Sequence, residues 1–267
     1  MTLQIPKNDL IDLLKKAQRK TVNGPLVESC VLSHDGEHTL DITSLVKDGV
    51  SSIAKFTVKV NGNAGEIPVP SIDHLLGVLK YHGQTINFSH ENDKLLVSSG
   101  KKKTTLASSL NAIAYSSSPS TIDAWHSQSL KIEKKIQLSP VGYLAQDGLM
   151  PPEIIKHVDS TDLFEAFRCD GMNGKKTGRY KFTFNENGMF VETGATLKGH
   201  TLTCLDDNAF KRMSMVFEGG LEEAMKLQLG NVKLAFIHFK SRKKTAGEWG
   251  LIIQMDDDFI FQTSVVE

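Results

Sequence analysis

The sequence predicts an α+β fold of two similar domains, each built from two βαβββ units, with helices on one face and antiparallel sheets on the other. Two observations support this prediction. The order strand, helix, strands occurs four times along the 267 residues, and turn-forming residues separate the strands. Each occurrence alone is ambiguous, but four in the same order are much less easily obtained by chance. Because a βαβββ unit leaves one face of its helix and sheet uncovered, we expect the units to pair within domains.

The first quarter opens with the short strand LQI and the helix KNDLIDLLKKAQRK. Strands are then predicted near VESCVLS, HTLDITSLV and SSIAKFTVKV. Asp35-Gly36 is expected at the first turn, since this pair suits a hairpin.

The second quarter gives the clearest example of the pattern. Ser71 is a good N-cap after Pro70, apolar residues then recur at helical spacing, and Gly83 ends the helix. TINFSHE alternates as a strand, Asn92-Asp93 forms a hairpin turn, and KLLVSS returns. TTLASSL is a further strand after the run Lys101-Lys102-Lys103, which suits a solvated turn or a minor contact with DNA or a partner.

The last two quarters repeat this order. IIKHVDSTDLFEAFRCD predicts strand, cap and helix, and RYKFTFNENGMFVETG predicts a hairpin turning at Asn187-Gly188, followed by the strand HTLTCL. Phe164, Phe167 and Met172 are expected in the core. GGLEEAMKLQLG is a short helix before the strands VKLAFIHF, WGLIIQM and FIFQTSVV. The three aspartates at 256–258 are interpreted as a turn, since they lie between two strands.

We predict an N-terminal domain at 1–116, a linker at 117–134 and a C-terminal domain at 135–267. The serine-rich start of the linker is typical of a solvated tether. Ile122 and Trp125 are expected to lie against the domain surface, because apolar side chains are costly to expose. LKIEKKIQL could add a strand.

Composition and motifs exclude several classes of function. Lys plus Arg equals Asp plus Glu at 31 each, so no overall basicity indicates nucleic acid. Three widely spaced cysteines suit neither a disulfide framework nor a zinc site. No signal peptide or membrane-spanning run is recognisable, so we expect a soluble, intracellular protein. No nucleophile lies near a base and no histidines have ligand spacing, which predicts a protein that is not an enzyme and has no cofactor and no metal.

Positive charge concentrates on the first helix. Its leucines fall on one side, and its basic residues spread over the other: Lys15, Lys16, Arg19 and Lys20. Two interpretations stay open, a solvated helix face and a surface that faces phosphates. Further basic residues lie on or after the second and third helices: Lys80, Arg168, Lys175, Lys176 and Arg179. The fourth helix instead carries Glu222 and Glu223.

Two parts of the chain resemble a known family. One part is similar to the start of the second domain of the DNA sliding clamps. It consists of IIKHVDSTDLFEAFRCDGM followed by YKFTFNENGMFVETG. VPSIDHLLGVLKYHG with DKLLVSSG is similar to the second half of their first domain. The form concerned is the two-domain one typified by proliferating cell nuclear antigen and many phage processivity factors. The resemblance extends over nearly the whole chain as a pattern, and it includes no catalytic signature.

The resemblance implies the DNA-clamp fold and a ring of six domains made by three copies that join head to tail. Helices would line the central hole, sheets would join edge to edge outside, and DNA would pass through. A DNA polymerase and a clamp loader would bind one outer face. The channel-lining residues implied are Lys15, Lys16, Arg19, Lys20, Lys80, Arg168, Lys175 and Lys176.

The resemblance also implies a pocket for partner peptides, bounded by the interdomain linker. On matching positions, this pocket would be formed by Leu45, Val46, Ile122, Trp125, Val265 and Val266.

We therefore predict a DNA sliding clamp, a homotrimeric, ring-shaped processivity factor that encircles double-stranded DNA without reading its sequence and tethers the replicative polymerase. One alternative is an open, monomeric or dimeric viral polymerase accessory factor. Another is a β-rich structural protein that binds no DNA and whose lysines only confer solubility. The expected location is the cytoplasm of a bacterial, archaeal or phage-infected cell, or the nucleus of a eukaryote.

Overall fold

The computed structural model describes residues 1–21, 24–25, 27–46, 52–109, 143–145, 148–150, 153–172, 176–196, 199–226, 230–238, 249–256 and 258–265. These residues group into two compact units. Unit 1 comprises the described residues of Met1–Gln18, Val27–Val46 and Ile53–Ile132. Unit 2 comprises those of Arg19–Leu26, Lys47–Ser52 and Glu133–Glu267. The predicted linker at 117–134 lies outside the described residues, so the predicted domain boundaries stay predictions.

The described residues form four helices and twenty strands. In chain order they are β1 (Thr2–Pro6), α1 (Lys7–Gln18), β2 (Lys20–Thr21), β3 (Gly24–Pro25), β4 (Cys30–His34), β5 (Thr39–Val46), β6 (Ser52–Lys59), β7 (Gly65–Val69), α2 (Ile72–Leu79), β8 (Thr85–Glu91), β9 (Lys94–Ser99), β10 (Lys102–Ala107), β11 (Tyr143–Ala145), β12 (Gly148–Met150), β13 (Ile154–Asp159), α3 (Ser160–Arg168), β14 (Arg179–Asn185), β15 (Gly188–Thr196), β16 (Gly199–Asp206), β17 (Met213–Glu218), α4 (Leu221–Met225), β18 (Asn231–His238), β19 (Trp249–Met255) and β20 (Asp258–Thr263).

The predicted repeats are present in both units. Repeat 1 is β1, α1 and β4–β6, and repeat 2 is β7, α2 and β8–β10. Repeat 3 is β13, α3 and β14–β16, and repeat 4 is β17, α4 and β18–β20. The predicted order of strand, helix and three strands is therefore confirmed four times.

Local sequence explains where the helices begin. The Ser71 hydroxyl accepts a hydrogen bond from the backbone N–H of His74 at 3.2 Å, which confirms Ser71 as the N-cap of α2. The Asp159 carboxylate accepts one from the N–H of Thr161 at 2.7 Å and so caps α3. A side chain at each N-cap satisfies a backbone donor that the first turn leaves unpaired.

The hairpin turns follow the predicted residues with one shift. Asn92 and Asp93 have φ angles of 51° and 58°, the left-handed pair that a two-residue turn requires. In the later hairpin, Asn185 pairs with Gly188, so the turn residues are Glu186 and Asn187. The predicted turn at Asn187-Gly188 is therefore wrong by one residue, because Gly188, with φ of 136°, opens the returning strand.

The two repeats of unit 1 exchange their first strands. One sheet has the order β1-β8-β9-β10, and β4–β7 form neighbouring strands in the order β6-β5-β4-β7. Ile5 of repeat 1 thus pairs with Ile86 of repeat 2, and Ile67 of repeat 2 pairs with Leu32 of repeat 1. All four side chains are buried. Each sheet of the unit therefore combines strands from both repeats.

Unit 2 has the same exchange. Its strands lie in the orders β16-β15-β14-β17 and β13-β18-β19-β20. Val158 pairs with Val232 across repeats 3 and 4, and Phe182 pairs with Met215. The exchange explains why two repeats form one unit, since neither has a complete sheet without the other.

Each unit packs a helix pair against both of its sheets. In unit 1, α1 contacts α2, β1 and β5, and the Gln18 amide donates a hydrogen bond to the Asp73 carboxylate at 2.8 Å. In unit 2, α3 contacts α4, β13, β15 and β16. Apolar burial holds this arrangement together, as in the ring of Phe236 on β18, which lies 5.1 Å from the ring centroid of Phe182 on β14.

The core predictions for α3 hold only in part. Phe167 is buried, as predicted, and Phe164 is half-buried. Met172 is 72% exposed, so its predicted place in the core is wrong. The reason is that α3 ends at Arg168, and Met172 lies in the turn beyond the buried side of the helix.

Candidate nucleic-acid interface

Two lysines on the helix pair of unit 1 are exposed. Lys15 lies in the last turn of α1 and Lys80 caps the C-terminus of α2. No ion pair joins either residue to another in the part of the chain that is described. Lys16, in contrast, is half-buried, and its ammonium lies 5.8 Å from the ring centroid of Phe56. Lys15 and Lys80 can therefore approach a polyanion without first breaking an ion pair with a described residue.

The predicted place of Arg19 on the exposed side of the first helix is wrong. The helix ends at Gln18, and Arg19 has a φ angle of 46° and is completely buried. Burial lowers the pKa of its guanidinium to about 10, which leaves the group charged at neutral pH. A buried guanidinium cannot reach a phosphate, so Arg19 is removed from the candidate interface. Lys20 begins β2, and its side chain lies outside the described residues.

Two cations near the helices of unit 2 have acidic partners. Arg168 Nη1 lies 2.9 Å from Glu165 Oε1, one turn away on α3. Lys176 Nζ lies 2.5 Å from Glu222 Oε2 on α4. Exposed pairs of this kind are worth less than about 1 kcal/mol, so a phosphate could displace the carboxylates. Lys175 lies outside the described residues.

The implied peptide pocket falls mostly outside the described residues. This applies to Ile122, Trp125, Val266 and the side chains of Leu45 and Val46, whose backbone ends β5. Val265 is half-buried, and its N–H donates to the Val216 carbonyl at 2.9 Å, which attaches the chain end to β17. The pocket stays a prediction.

Cys30 and Asp170 carry groups that could be reactive, but in this structure one is buried and the other holds a backbone segment. Cys30 is buried, and burial raises the pKa of its thiol, which disfavours the nucleophilic thiolate. The Asp170 carboxylate accepts hydrogen bonds from the N–H groups of Thr177 and Gly178 and so shapes the segment before β14. Within the described ranges, no three His, Cys, Asp or Glu side chains are arranged to hold a metal ion. No helix in those ranges has the length and apolar character needed to cross a membrane.

Two edge strands were not identified from the sequence as a possible interface. β10 ends one sheet of unit 1, and β16 ends one sheet of unit 2. The lysines at 101–103 are exposed where β10 begins, and Asp207 is exposed just after β16. On β16, Leu202 is 53% exposed. The lysine run is visible in the sequence and marks β10. That β10 is an edge strand could not be predicted, because it depends on the sheet order.

Among the comparisons with known proteins, the one with solved structures finds matches, and these agree on the fold. No family model and no curated protein matches the sequence. The whole chain superposes on the DNA polymerase III subunit beta of Pseudomonas aeruginosa, with a TM-score of 0.58 and 15% identity. It also superposes over its whole length on the Helicobacter pylori beta clamp bound to a DNA ligase peptide, with a TM-score of 0.60 and 14% identity, and covers 67% of that chain. The beta subunit from the DNA polymerase of Streptococcus pyogenes gives a TM-score of 0.59 and 10% identity. The match includes the whole of the present chain and 65% of that subunit.

These similarities define the class of structure: the chain has the DNA sliding-clamp fold. The fold class and the resemblance expected from the sequence are thereby confirmed. The chain spans 65% of the length of the Pseudomonas aeruginosa protein. At 10–15% identity, the similarity shows the fold alone.

Proposed function

We propose that this protein is a DNA sliding clamp, a ring that encircles duplex DNA and tethers a replicative polymerase without chemistry of its own. The observation that carries the proposal is the superposition of the whole chain, with its two strand-exchanged units, on clamps of DNA polymerases. A protein that holds DNA by enclosure needs only a stable shape and a weakly cationic inner surface. The absence of overall basicity is compatible with this mechanism.

We propose three copies in the ring, and the relative chain lengths support this number. Two units of this chain span 65% of the Pseudomonas aeruginosa chain, which leaves room there for one more unit of the same size. The resemblance implies a ring of six units, and with two units in each copy such a ring needs three copies. They would be joined head to tail, as heterologous interfaces that close into a ring are.

The edges β10 and β16 are our candidates for the joints between copies. A strand at the edge of a sheet can pair through its backbone with a strand of another chain. If β10 of one copy runs antiparallel to β16 of the next, Lys103 at the start of β10 faces the exposed Asp207 just after the end of β16. The exposed side chain of Leu202 becomes covered in the same joint.

The proposed DNA contacts are electrostatic and independent of sequence. Lys15 and Lys80 would contact phosphates directly, whereas Arg168 and Lys176 would first exchange their carboxylate partners. Lys16, Lys20 and Lys175 stay in the proposed set. Such contacts confer affinity without fixing register, which allows sliding.

The proposed partners are a polymerase and a clamp loader, bound on an outer face. The Helicobacter pylori clamp, which shares the fold, is bound to a DNA ligase peptide. We propose an equivalent peptide pocket at Leu45, Val46, Ile122, Trp125, Val265 and Val266.

Mass and topology test the proposal together. Light scattering should give about 88 kDa, three times the mass of the 29.4 kDa chain. Protein assembled on nicked circular duplex DNA should stay bound through gel filtration and be released when the circle is linearised. A monomer or dimer that binds both forms equally would indicate an open accessory factor. Binding to neither form at any salt concentration would contradict a role on DNA.

Charge reversal tests the joint. Lys103→Glu should convert the trimer to smaller species, because it places like charges at the proposed contact. Adding Asp207→Lys should restore the trimer. Lys59→Glu is the control, since Lys59 is an exposed lysine on β6. An unchanged trimer in Lys103→Glu would exclude this joint.

A further inference from the structure

The turn that follows α2 displays an aromatic ring to solvent. Tyr81 is 74% exposed and comes directly after Lys80, the C-cap residue of α2. Its backbone N–H donates to the Val78 carbonyl at 3.0 Å and thus continues the last turn of the helix. The ring is therefore held outward by an ordered backbone.

Two lysines fix the backbone of this turn from other elements. Lys102 Nζ donates to the Tyr81 carbonyl at 2.6 Å, and Lys7 Nζ donates to the His82 carbonyl at 3.0 Å. Lys102 begins β10 and Lys7 begins α1. Because their ammonium groups bond carbonyl oxygens rather than carboxylates here, both positive charges stay uncompensated by these contacts.

The next residue anchors the turn from inside. The buried His82 ring lies 3.0 Å from the Ser99 hydroxyl at Nδ1 and 3.0 Å from the Thr104 hydroxyl at Nε2. The N–H of Gly83 donates to the same Ser99 hydroxyl at 2.8 Å. Burial, followed by the charges of Lys102 and Lys7, lowers the pKa of His82.

We call Tyr81 with Lys7, Lys80 and Lys102 the Tyr81 cluster. The exposed Lys101 precedes Lys102 and adds positive charge just before β10 begins. The turn after α3 gives an informative contrast. Met172 is similarly exposed there, but it is not aromatic, and the nearby Arg168 and Lys176 are paired with carboxylates.

We infer that the Tyr81 cluster binds single-stranded nucleic acid, with one unpaired base stacked on the Tyr81 ring and adjacent phosphates on the lysines. Stacking on an exposed aromatic ring requires an exposed base face, which single strands offer and the interior of a duplex does not. The cations supply affinity for phosphates that is independent of sequence. The inference goes beyond the proposed function, in which cations follow the backbone of a duplex, and it does not require a ring.

A fluorescence anisotropy titration with a labelled oligothymidine tests the inference on the full chain. Tyr81→Ala should raise the dissociation constant about tenfold, because base stacking is lost. Tyr81→Phe should bind like the wild type, since it keeps the ring. Met172→Ala is the matched control, an exposed apolar residue in the turn after another helix, and should have no effect.

Three outcomes would overturn the inference. They are no binding of oligothymidine by the wild type, equal binding by Tyr81→Ala and wild type, and a loss in Tyr81→Phe as large as in Tyr81→Ala. A thermal melt of Tyr81→Ala that matches the wild type shows that the loss is not a folding defect. Retention on circular duplex DNA is measured separately, so failure of the proposed clamp function and failure of this inference are distinguishable.

Discussion

Lys176 and Glu222 form an ion pair between two repeats of unit 2. The ammonium lies 2.5 Å from the carboxylate, and the pair connects the segment after α3 to α4. The Lys176 side chain is 61% exposed and that of Glu222 is 21% exposed. A phosphate that approaches Lys176 must therefore compete with a carboxylate already in place.

Removing that carboxylate should strengthen DNA binding. In Glu222→Gln, Lys176 gains freedom to contact a phosphate, and we expect the slope of log affinity against log salt to steepen by about one. Stability should change by about 1 kcal/mol or less, because the 61% exposed Lys176 side chain keeps the pair in contact with water. Fluorescence anisotropy with duplex DNA over a salt series measures the slope. Glu223→Gln, the neighbouring acid on α4, should have a smaller effect. Equal effects would indicate general charge rather than release of Lys176.

Reversing the charge of the exposed lysines of unit 1 should weaken duplex binding. We expect Lys15→Glu with Lys80→Glu to reduce the salt slope by about two, because two phosphate contacts are lost. The same salt series measures it, and the melting temperature should stay near that of the wild type. The control pair, Lys59→Glu with Lys94→Glu, alters exposed lysines on strands and should leave the slope unchanged. A normal slope in the helix variant would show that these helices do not face DNA.

Arg19 should affect stability rather than DNA binding. Because its side chain is completely buried, Arg19→Ala removes packing and should lower the free energy of unfolding by about 1–3 kcal/mol. Its salt slope with duplex DNA should equal that of the wild type. Denaturant unfolding and the salt series test the two statements. Lys15→Ala should show the opposite behaviour, with little change in stability and a lower slope. A stable Arg19→Ala variant with a reduced slope would contradict the buried placement.

His82 should make stability depend on pH in the acidic range. Its folded-state pKa lies below the usual 6.5, so the unfolded chain binds the proton first as pH falls. The contribution of neutral His82 is therefore complete above about pH 6.5 and is lost progressively below it. In His82→Asn, the free energy of unfolding at neutral pH should be about 1 kcal/mol lower, because a hydrogen bond is lost. The further decrease of that free energy from about pH 7 to pH 5 should be smaller than in the wild type.

Denaturant titrations at several pH values measure this dependence. His157→Asn is the control, since His157 is exposed on β13, and it should keep the pH dependence of the wild type. The assignment to His82 fails if His82→Asn and the wild type lose stability in parallel.

Local patterns in the sequence explain most of the secondary structure. Ser71 caps a helix and Asn92-Asp93 turns a hairpin because both effects involve only neighbouring residues. The exchange of β1 and β7 between repeats is not local, since it depends on which strands pair across the unit. Sheet order of this kind leaves no periodic trace in either strand.

The site was harder to predict than the fold. A helical wheel places Arg19 beside Lys15 only if the helix continues past Gln18, and it does not. The ion pair of Lys176 and the lysines around Tyr81 join residues distant in sequence, so spacing could not show either of them. Exposure of Tyr81 likewise depends on how its turn is anchored by His82.

The crossing of first strands between repeats has a consequence for how the chain can be divided. Each unit resembles a domain-swapped pair whose two members have been fused, so a polypeptide that stops after β6 leaves β1 without β8 and exposes the flank of β4. Half a unit would therefore expose strand edges and tend to aggregate. Fragments for expression, and sites for circular permutation or inserted tags, should respect whole interlocked pairs.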